Sequence, residues 1–402
     1  MRAENTRYTR EEWLALQDRA LAVAAEGVTI ADARLPGRPL IYVNEGFEQL
    51  TGYDAAEALG RNCRFLQGED TDPHTVQEIR DALVAVRDLT VEILNYRKDG
   101  SPFWNRLSIT PVRDERGGLT HFIGIQSDVT ARRMAEESLR RANAQMLRDL
   151  QEAALIQQSW LPGSLPRVDG YEFTYRFRPC AELAGDGLNI LHLDDDRMGL
   201  YILDVTGHGV PASLLSASLN RMLSPSPEQS CLFEPSPASR TGFVPSRPAA
   251  VAAALNRQFR AGPQMGRFFT LIYGILELSS RRFHYVTAGH PPPVLIDREG
   301  ARLCPLAKGL PIGVLPDFEF GECTLQLEPG DRLMLYSDGA FEAIDARDQE
   351  MGERRLLDAL AGFHSLPGDE SLGAMIGMIE AWCPRGQPQD DVTLLAIDVA
   401  SA

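Results

Sequence analysis

Gly60-Arg61-Asn62-Cys63-Arg64-Phe65-Leu66-Gln67 is the stretch on which the reading of this chain turns. A cysteine on a helical turn is, by itself, a small buried hydrophobe. The surroundings of Cys63 say more. It stands beside Arg64, within a segment (44–86) that reads as short helices broken by Gly52, Gly60, Gly68 and Pro73. Arg80 falls on a following helical piece. Two arginines directed into one small domain suggest a bound phosphate, which guanidinium groups grip bidentately. Strand signals flank the segment at 28–32 and 40–43, then at 89–97, 103–112 and 119–128. Lys98-Asp99-Gly100 and Gly117-Gly118 supply turns between the last three. Asn95 and Asn105 lie on these strands, and Gln126 on the last. Amides inside a sheet need hydrogen-bond partners, and a flavin ring edge offers matching donors and acceptors.

GRNCRFLQ, the asparagine of LNYRKDG, that of FWNRLSITPV and the glutamine of FIGIQSDVT occur here in order. Together they resemble LOV domains, the blue-light-sensing branch of the PAS fold, over residues 27–130. The resemblance implies a PAS-like antiparallel sheet domain holding FMN non-covalently. Arg64 and Arg80 would take its phosphate. Asn62, Gln67, Asn95, Asn105 and Gln126 would meet the ribityl chain or the ring. Cys63 would attack flavin C4a after blue-light excitation, changing the hydrogen bond to Gln126, whose amide can donate or accept. A LOV-like domain used only for dimerisation is the alternative.

The chain has 402 residues, more than a single hydrophobic core of ~250–300 residues accommodates, so two domains are expected. An apolar fraction of 44% and a charged fraction of 24% place it among soluble globular proteins. Its net charge of −16 disfavours nucleic-acid and anionic-membrane partners, which need positive patches. The 6 cysteines form no CxxC pair, which disfavours a zinc site or disulfide framework and suits a reducing cytoplasm. The expected location is cytoplasmic: the N-terminus lacks a signal-like apolar core, and no apolar run is long enough to cross a bilayer. No internal repeat is visible.

Helix signals bracket the sensor segment. Residues 8–25 read as a helix, with Thr9 and Glu12 at capping-box spacing and Trp13, Leu16, Ala20 and Val23 at helical intervals. Residues 130–158 contain no Gly or Pro and read as one long helix. Leu139, Met146, Ala153 and Trp160 fall seven apart, while Ala142 and Asp149 occupy the companion positions where a strong zipper places Leu. Two readings stay open: a coiled-coil homodimer, or a helix packed on its own domain. The expected divisions are 1–26, an N-terminal helix; 27–129, the sensor; 130–166, a helical linker; and 167–402, the second domain.

From Tyr171 the pattern changes to strands at 172–178, 188–193, 198–204, 269–278, 283–288, 332–337 and 392–399. Helices are expected at 212–222, 249–260, 352–361 and 371–382. Strands outnumber helices, so antiparallel sheets covered by helices are expected. Residues 224–248, rich in Ser and Pro, read as a mobile loop that either selects a substrate or is a spacer. Asp186, Asp204, Asp338 and Asp390-Asp391 each stand at a strand end or tight turn. Carboxylates converging on one spot repel unless a cation lies among them, and an oxygen-only ligand set favours Mg²⁺ or Mn²⁺. Two such ions can acidify a shared water and brace a phosphoryl group. His208 is either a general acid or a residue that orients its loop.

DVTGHGVPA, FFTLIYGILEL, AGHPPP, GLPIGV, DRLMLYSDGAFEA and DDVTLL follow one another in this order. They resemble the SpoIIE-type branch of the PPM metal-dependent phosphatases, from about Leu155 to Val399. The implied fold class is α+β, with a β-sandwich flanked by helices after the PAS-like domain and helical linker. The resemblance makes Asp204 the metal-bridging ligand and the Val205 backbone carbonyl a second contact. Asp186 would bind on one side, Asp338 and Asp390 on the other, with Asp391 a neighbour. Many members carry a second Asp where this chain has Asn189, which leaves a light-gated binding protein without turnover as the alternative to a protein serine/threonine phosphatase. Relatives use the helix that LIQQSWLPGSLP resembles to move metal ligands, and their substrate is often a phosphorylated anti-sigma-factor antagonist.

Overall fold

The computed structural model describes residues 9–22, 24–207, 209–259 and 268–401. Its contacts divide the chain into two units, 1–145 and 146–402.

The first unit opens with α1 (Arg10–Ala22), capped by a reciprocal pair: Thr9 N donates to Glu12 Oε2 at 2.7 Å, and Glu12 N donates to Thr9 Oγ1 at 3.2 Å. Strands β1 (Gly27–Asp32) and β2 (Leu40–Val43) follow. Then come α2 (Glu45–Thr51), α3 (Ala55–Ala58), a 3₁₀ turn at Cys63–Leu66, and α4 (Pro73–Val84). Three strands close the domain: β3 (Leu89–Tyr96), β4 (Pro102–Arg113) and β5 (Leu119–Asp128). All five form one antiparallel sheet in the order β2-β1-β5-β4-β3, which places Gly27 opposite Gln126 and Leu107 beside Gln126. Asn44 joins this domain at one point. Its Oδ1 accepts from Val28 N (2.7 Å) and Phe47 N (2.9 Å), and its Nδ2 donates to the carbonyls of Leu21, Ala24 and Glu26.

Helix α5 (Thr130–Gln158) is a single element as the composition predicts. Its first turn is fixed to the sensor sheet: Trp104 N donates to Thr130 Oγ1 at 2.8 Å, the Arg133 guanidinium lies 3.7 Å over the Trp104 ring, and Glu92 takes both Arg132 and Arg133. Leu139 and Met146 of the seven-residue stripe are exposed and Ala153 is half-buried, while Gln157, outside the stripe, is the buried residue of the helix. The first half of the stripe is thus left uncovered by the chain itself.

The second unit contains β6 (Tyr171–Arg178), β7 (Gly187–His192), β8 (Arg197–Val205), α6 (Val210–Met222), β9 (Phe233–Pro235), β10 (Phe243–Pro245) and α7 (Pro248–Gln258). It continues with β11 (Phe269–Glu277), β12 (Arg282–Ala288), β13 (Val294–Asp297), β14 (Gly300–Leu303), β15 (Cys323–Gln326) and β16 (Arg332–Tyr336). It ends with α8 (Gly352–Gly362), α9 (Gly368–Trp382) and β17 (Val392–Val399). One antiparallel sheet has the order β15-β12-β11-β8-β7, the other β14-β13-β16-β17-β6. The period-two alternation of strands separates three cores. Leu200 and Ile202 meet Leu333, Leu335 and Ile397 between the sheets. Tyr201, Leu203 and Val205 face α6 and α7, while Met334, Tyr336 and Leu394 face α8 and α9. The expected α+β class and helix-flanked sandwich are what the structure shows.

Residues 224–248 differ from the expected loop. They carry the β9–β10 ribbon, anchored by fully buried Leu232, whose carbonyl accepts from Ser246 N at 2.8 Å. Their Ser/Pro composition hides one apolar anchor. Strands β13, β14 and β15 were also not expected. No helix among the described residues is long and apolar enough to cross a membrane.

Replacing Asn44 with Ala removes the side-chain acceptor of Val28 N, leaves Phe47 N only the residue-44 carbonyl, and takes a donor from three carbonyls, at a cost of about 1–3 kcal/mol for each buried group left unpaired. Amide exchange by mass spectrometry should speed up across 27–51 in Asn44→Ala and stay unchanged across β17. Unaltered exchange at Val28 would contradict the hub.

Candidate functional site

In the first unit, the sheet, the 33–38 loop, the Cys63 turn and α4 line a cavity of about 660 Å³. Asn62, Cys63, Arg64, Gln67, Arg80, Asn95, Asn105 and Gln126 all line it. Asn62 caps the 3₁₀ turn, with Oδ1 accepting from Arg64 N at 3.0 Å, and its Nδ2 donates to the Gly37 carbonyl at 2.5 Å. Thus Asn62 also holds the 33–38 loop against the Cys63 turn. A chain of amides runs across the sheet. Asn105 Nδ2 donates to Asn95 Oδ1 (2.9 Å) and to Gln126 Oε1 (3.0 Å), and Gln126 Nε2 donates to Cys63 Sγ at 3.7 Å. These three amides are 4%, 1% and 0% exposed for Asn95, Asn105 and Gln126, so their bonds cannot be exchanged for water. Burial pushes the Cys63 thiol up to about 11, opposed by the Gln126 bond. Asn105 Oδ1 is buried and receives nothing from the protein. A wall with an orphan acceptor on Asn105, and with Arg64 and Arg80 among its lining residues, suits a flavin carrying a phosphate.

Two lining arginines escaped the sequence reading. Arg34 is held bidentately by Asp32, whereas Arg38 lays its guanidinium 5.7 Å over the Phe122 ring. Nothing local in the sequence separates them from surface charges.

In the second unit, β8 delivers Asp204 and Val205 at its end, and β16 runs into Ser337 and Asp338. Gly185 packs close against this turn: a Cβ there would lie 2.8 Å from the Val205 carbonyl oxygen. Burial raises the pKa of Asp186 well above its usual value, and the charges of Asp204 and Asp391 raise it further. Asp204 is pushed up to about 7 by burial and by Asp338, Asp390 and Asp391, against a hydrogen bond with Asp186. Burial also raises Asp338, with Asp391 adding to it. No ion pair reaches Asp186, Asp204 or Asp338 among the described residues. Two carboxylates about 4 Å apart repel by about 4 kcal/mol at an effective dielectric of about 20. A hydrogen bond to a charged group returns only about 1.5–3 kcal/mol. Hydroxyl donors alone therefore do not keep this group ionised. Hard divalent cations do, and the all-oxygen donors suit Mg²⁺ or Mn²⁺.

The neighbours of these aspartates set their positions. Thr393 Oγ1 donates to Asp186 Oδ2, Thr393 N donates to Ser337 Oγ (2.9 Å), and Ser337 Oγ donates to the Asp391 carbonyl (3.2 Å). The Asp391 carboxylate accepts N–H groups of Cys180 (2.8 Å), Gly185 (2.7 Å) and Asp186 (3.4 Å), closing the loop that carries Asp186. Gln157 grips the same loop from α5. Its Nε2 donates to the Ala184 carbonyl at 2.7 Å and its Oε1 accepts from Ala184 N at 3.0 Å. Ligand atoms of Cys180, Asp390 and Asp391 lie within 4.8 Å of one another, a spacing that no three of Asp186, Asp204, Asp338 and Asp390 share. Cys180 was not foreseen, since it stands alone in its segment. Asn189 stands opposite Tyr201, with Oδ1 accepting from Ile190 N at 2.9 Å, and serves its strand. His208 lies outside the described residues.

Residues 194–400 match the family described as Stage II sporulation protein E (SpoIIE), and residues 26–131 match the PAS domain family. The "Blue-light-activated histidine kinase" of Brucella anthropi is 54% identical over 101 residues, covering 25% of this chain and 21% of that protein. "Phototropin-2" of Oryza sativa subsp. japonica is 50% identical over 111 residues, covering 28% of this chain and 12% of that protein. The chain thus spans about a fifth or less of the length of these relatives. Among solved structures, the LOV domain of the Erythrobacter litoralis EL346 blue-light activated histidine kinase is 46% identical, covering 26% of this chain and 96% of that one, with a TM-score of 0.26.

The raised aspartates have a sign that can be measured. Asp204 titrates near 7 when folded and near 3.8 when unfolded, so between these values the folded state holds the extra proton. Stability therefore falls as pH rises through that window. After chelation, the wild type is expected to lose more melting temperature between about pH 5 and about pH 8 than Asp204→Asn does, and added Mn²⁺ should restore it. Identical pH profiles for the two proteins would refute the assignment.

Proposed function

We propose, on the premise that the chain belongs to the SpoIIE family and carries a LOV-type PAS domain ahead of that region, that it is a blue-light receptor in which FMN governs a metal-dependent protein serine/threonine phosphatase. The observation that supports the enzymatic half best is the grouping of Asp186, Asp204 and Asp338, acceptor-only groups whose charge is disfavoured by burial and by one another. Two Mn²⁺ or Mg²⁺ ions, taken by these residues with Asp390 and the Val205 carbonyl, would supply charge neutralisation and an acidified water for attack on phosphorus. The chain's own contribution is to orient the ligands. Thr393 aims Asp186, and Asp391 and Gln157 hold its loop from two sides.

FMN, when bound, supplies blue-light absorption and an electrophilic carbon within the isoalloxazine ring. Cys63 keeps its proton on Sγ before excitation, as its raised pKa requires. Gln126 joins that thiol to the amide chain and sits on β5, two residues before Asp128, whose carboxylate accepts from Thr130 N at the start of α5. At the far end of the same helix, Gln157 holds the backbone two residues before Asp186. A shift of α5 would therefore reach a metal ligand without touching substrate. The exposed stripe of Leu139 and Met146 supports a homodimer through α5. A phosphorylated anti-sigma-factor antagonist is the proposed substrate and the cytoplasm the proposed location.

Hydrolysis of an aryl phosphate with added Mn²⁺, in darkness and under blue light, tests the reading. Activity should differ between the two states and vanish in Asp204→Ala. Cys63→Ala should abolish both reversible flavin bleaching and the light–dark difference. Gln157→Ala should still bleach but lose activity. Light scattering should give a dimer that Leu139→Asp with Met146→Asp dissociates. Mn²⁺ binding without turnover in either state would favour the light-gated binding protein.

A further inference from the structure

Arg38 lines the cavity of the first unit together with Arg64 and Arg80, yet the flavin contacts described above leave it without a task. Residues 34–37, Arg64 and Arg80 are exposed while lining that cavity, so they mark its mouth. Arg38 sits on the same loop and is half-buried. One side chain holds its backbone against the Cys63 turn. Asn62 Nδ2 donates to the carbonyls of Gly37 (2.5 Å) and Arg38 (3.4 Å), and Asn62 Oδ1 accepts from Arg64 N (3.0 Å). Arg38 and Arg64 therefore stand on facing banks of the mouth, one asparagine apart.

The backbone alone would not select arginine at position 38. Its φ is +51°, in the left-handed region that glycine or asparagine occupies with less strain. Strained non-glycine residues gather at ligand clamps. Charge points the same way. Arg34 is neutralised by Asp32, whereas among the described residues no carboxylate pairs with Arg38, Arg64 or Arg80. The Arg38 guanidinium instead lies over the ring of Phe122, another cavity residue, a contact that holds the group in place without cancelling its charge. In a chain of net charge −16, three uncompensated guanidinium groups around one mouth call for an anion. A phosphate monoester carries about two negative charges and offers three acceptor oxygens, one for each group.

We propose that Arg38 is a third phosphate-binding residue of the cavity, reaching across the mouth from the 33–38 loop, and that it strengthens selection of FMN over riboflavin beyond what Arg64 and Arg80 provide. The proposal rests on the flavin reading of the cavity. A guanidinium fork recognises the phosphate and nothing on the ring, so its loss is felt by the phosphorylated flavin alone.

The test is an equilibrium titration of the flavin-free full chain in darkness, with FMN and with riboflavin, followed by quenching of flavin fluorescence. Arg38→Asn, which suits the left-handed backbone, should bind FMN about tenfold more weakly and riboflavin as the wild type does. Arg38→Lys keeps the charge without the planar fork and should fall between the two for FMN. If Arg38→Asn does not fold, as judged by circular dichroism, Arg38→Gly decides by the same comparison. An unchanged ratio of FMN to riboflavin affinity overturns the proposal while leaving the flavin reading intact: equal weakening of both makes Arg38 a latch on its loop, and no weakening makes it a surface charge. A wild type that binds neither flavin overturns the flavin reading, and the role of Arg38 falls with it.

Discussion

Like charges gathered in a poorly polarisable pocket push one another apart, and the second unit is organised around resisting that push. Asp186, Asp204 and Asp338 arrive from different strands of two sheets, so their separation is set by the sandwich rather than by any one segment. The core between the sheets, with Leu200, Ile202, Leu333 and Leu335, fixes the distance between layers. The hydroxyls of Thr393 and Ser337 fix orientation within it. A carboxylate that is not a proposed ligand, Asp391, gathers three backbone N–H groups and so turns a loop into a rigid platform.

The first unit solves a different problem with neutral groups. Its cavity wall is a relay of amides that runs from Asn95 through Asn105 and Gln126 to a thiol, with one unmatched acceptor on its middle member, Asn105. Because a buried amide that loses its partner costs about 1–3 kcal/mol, a change at one end of the relay must be answered by the others. The relay sits on strands of the sheet to which the first turn of α5 is fastened by Trp104, Arg133 and Glu92. Gln157, in the last turn of the same helix, is fastened by both of its amide atoms.

Much of this was legible in the chain itself. Alternation exposed β1 to β5 and the long strands of the sandwich to within a residue or two, and absence of Gly and Pro exposed α5 throughout its length. The Cys63 run and the separated Asn95, Asn105 and Gln126 were readable because each stands in a motif with its own local signature. What stayed hidden depends on distance along the chain. Thr393 meets Asp186 across 207 residues and Cys180 meets Asp391 across 211, and neither pairing leaves a periodic trace. Gln157 looks like any polar helix residue until Ala184 is placed beside it. Strands β13, β14 and β15 went unread, and the apolar anchor Leu232 is masked by its Ser/Pro-rich neighbours.

The burial that raises the Cys63 thiol to about 11 has a further meaning for the lifetime of such a protein in an oxidising cell. A raised pKa keeps the thiol protonated at neutral pH, and the thiolate is the form that peroxides and electrophiles attack. Gln126 Nε2 also donates to that sulfur, and the 3₁₀ turn that carries it is pinned by Asn62. The resting thiol is thus a poor nucleophile. In the photochemistry proposed above, reactivity at Cys63 would be conferred only for the duration of an excited state, which would keep a record of illumination from being overwritten by a record of oxidation.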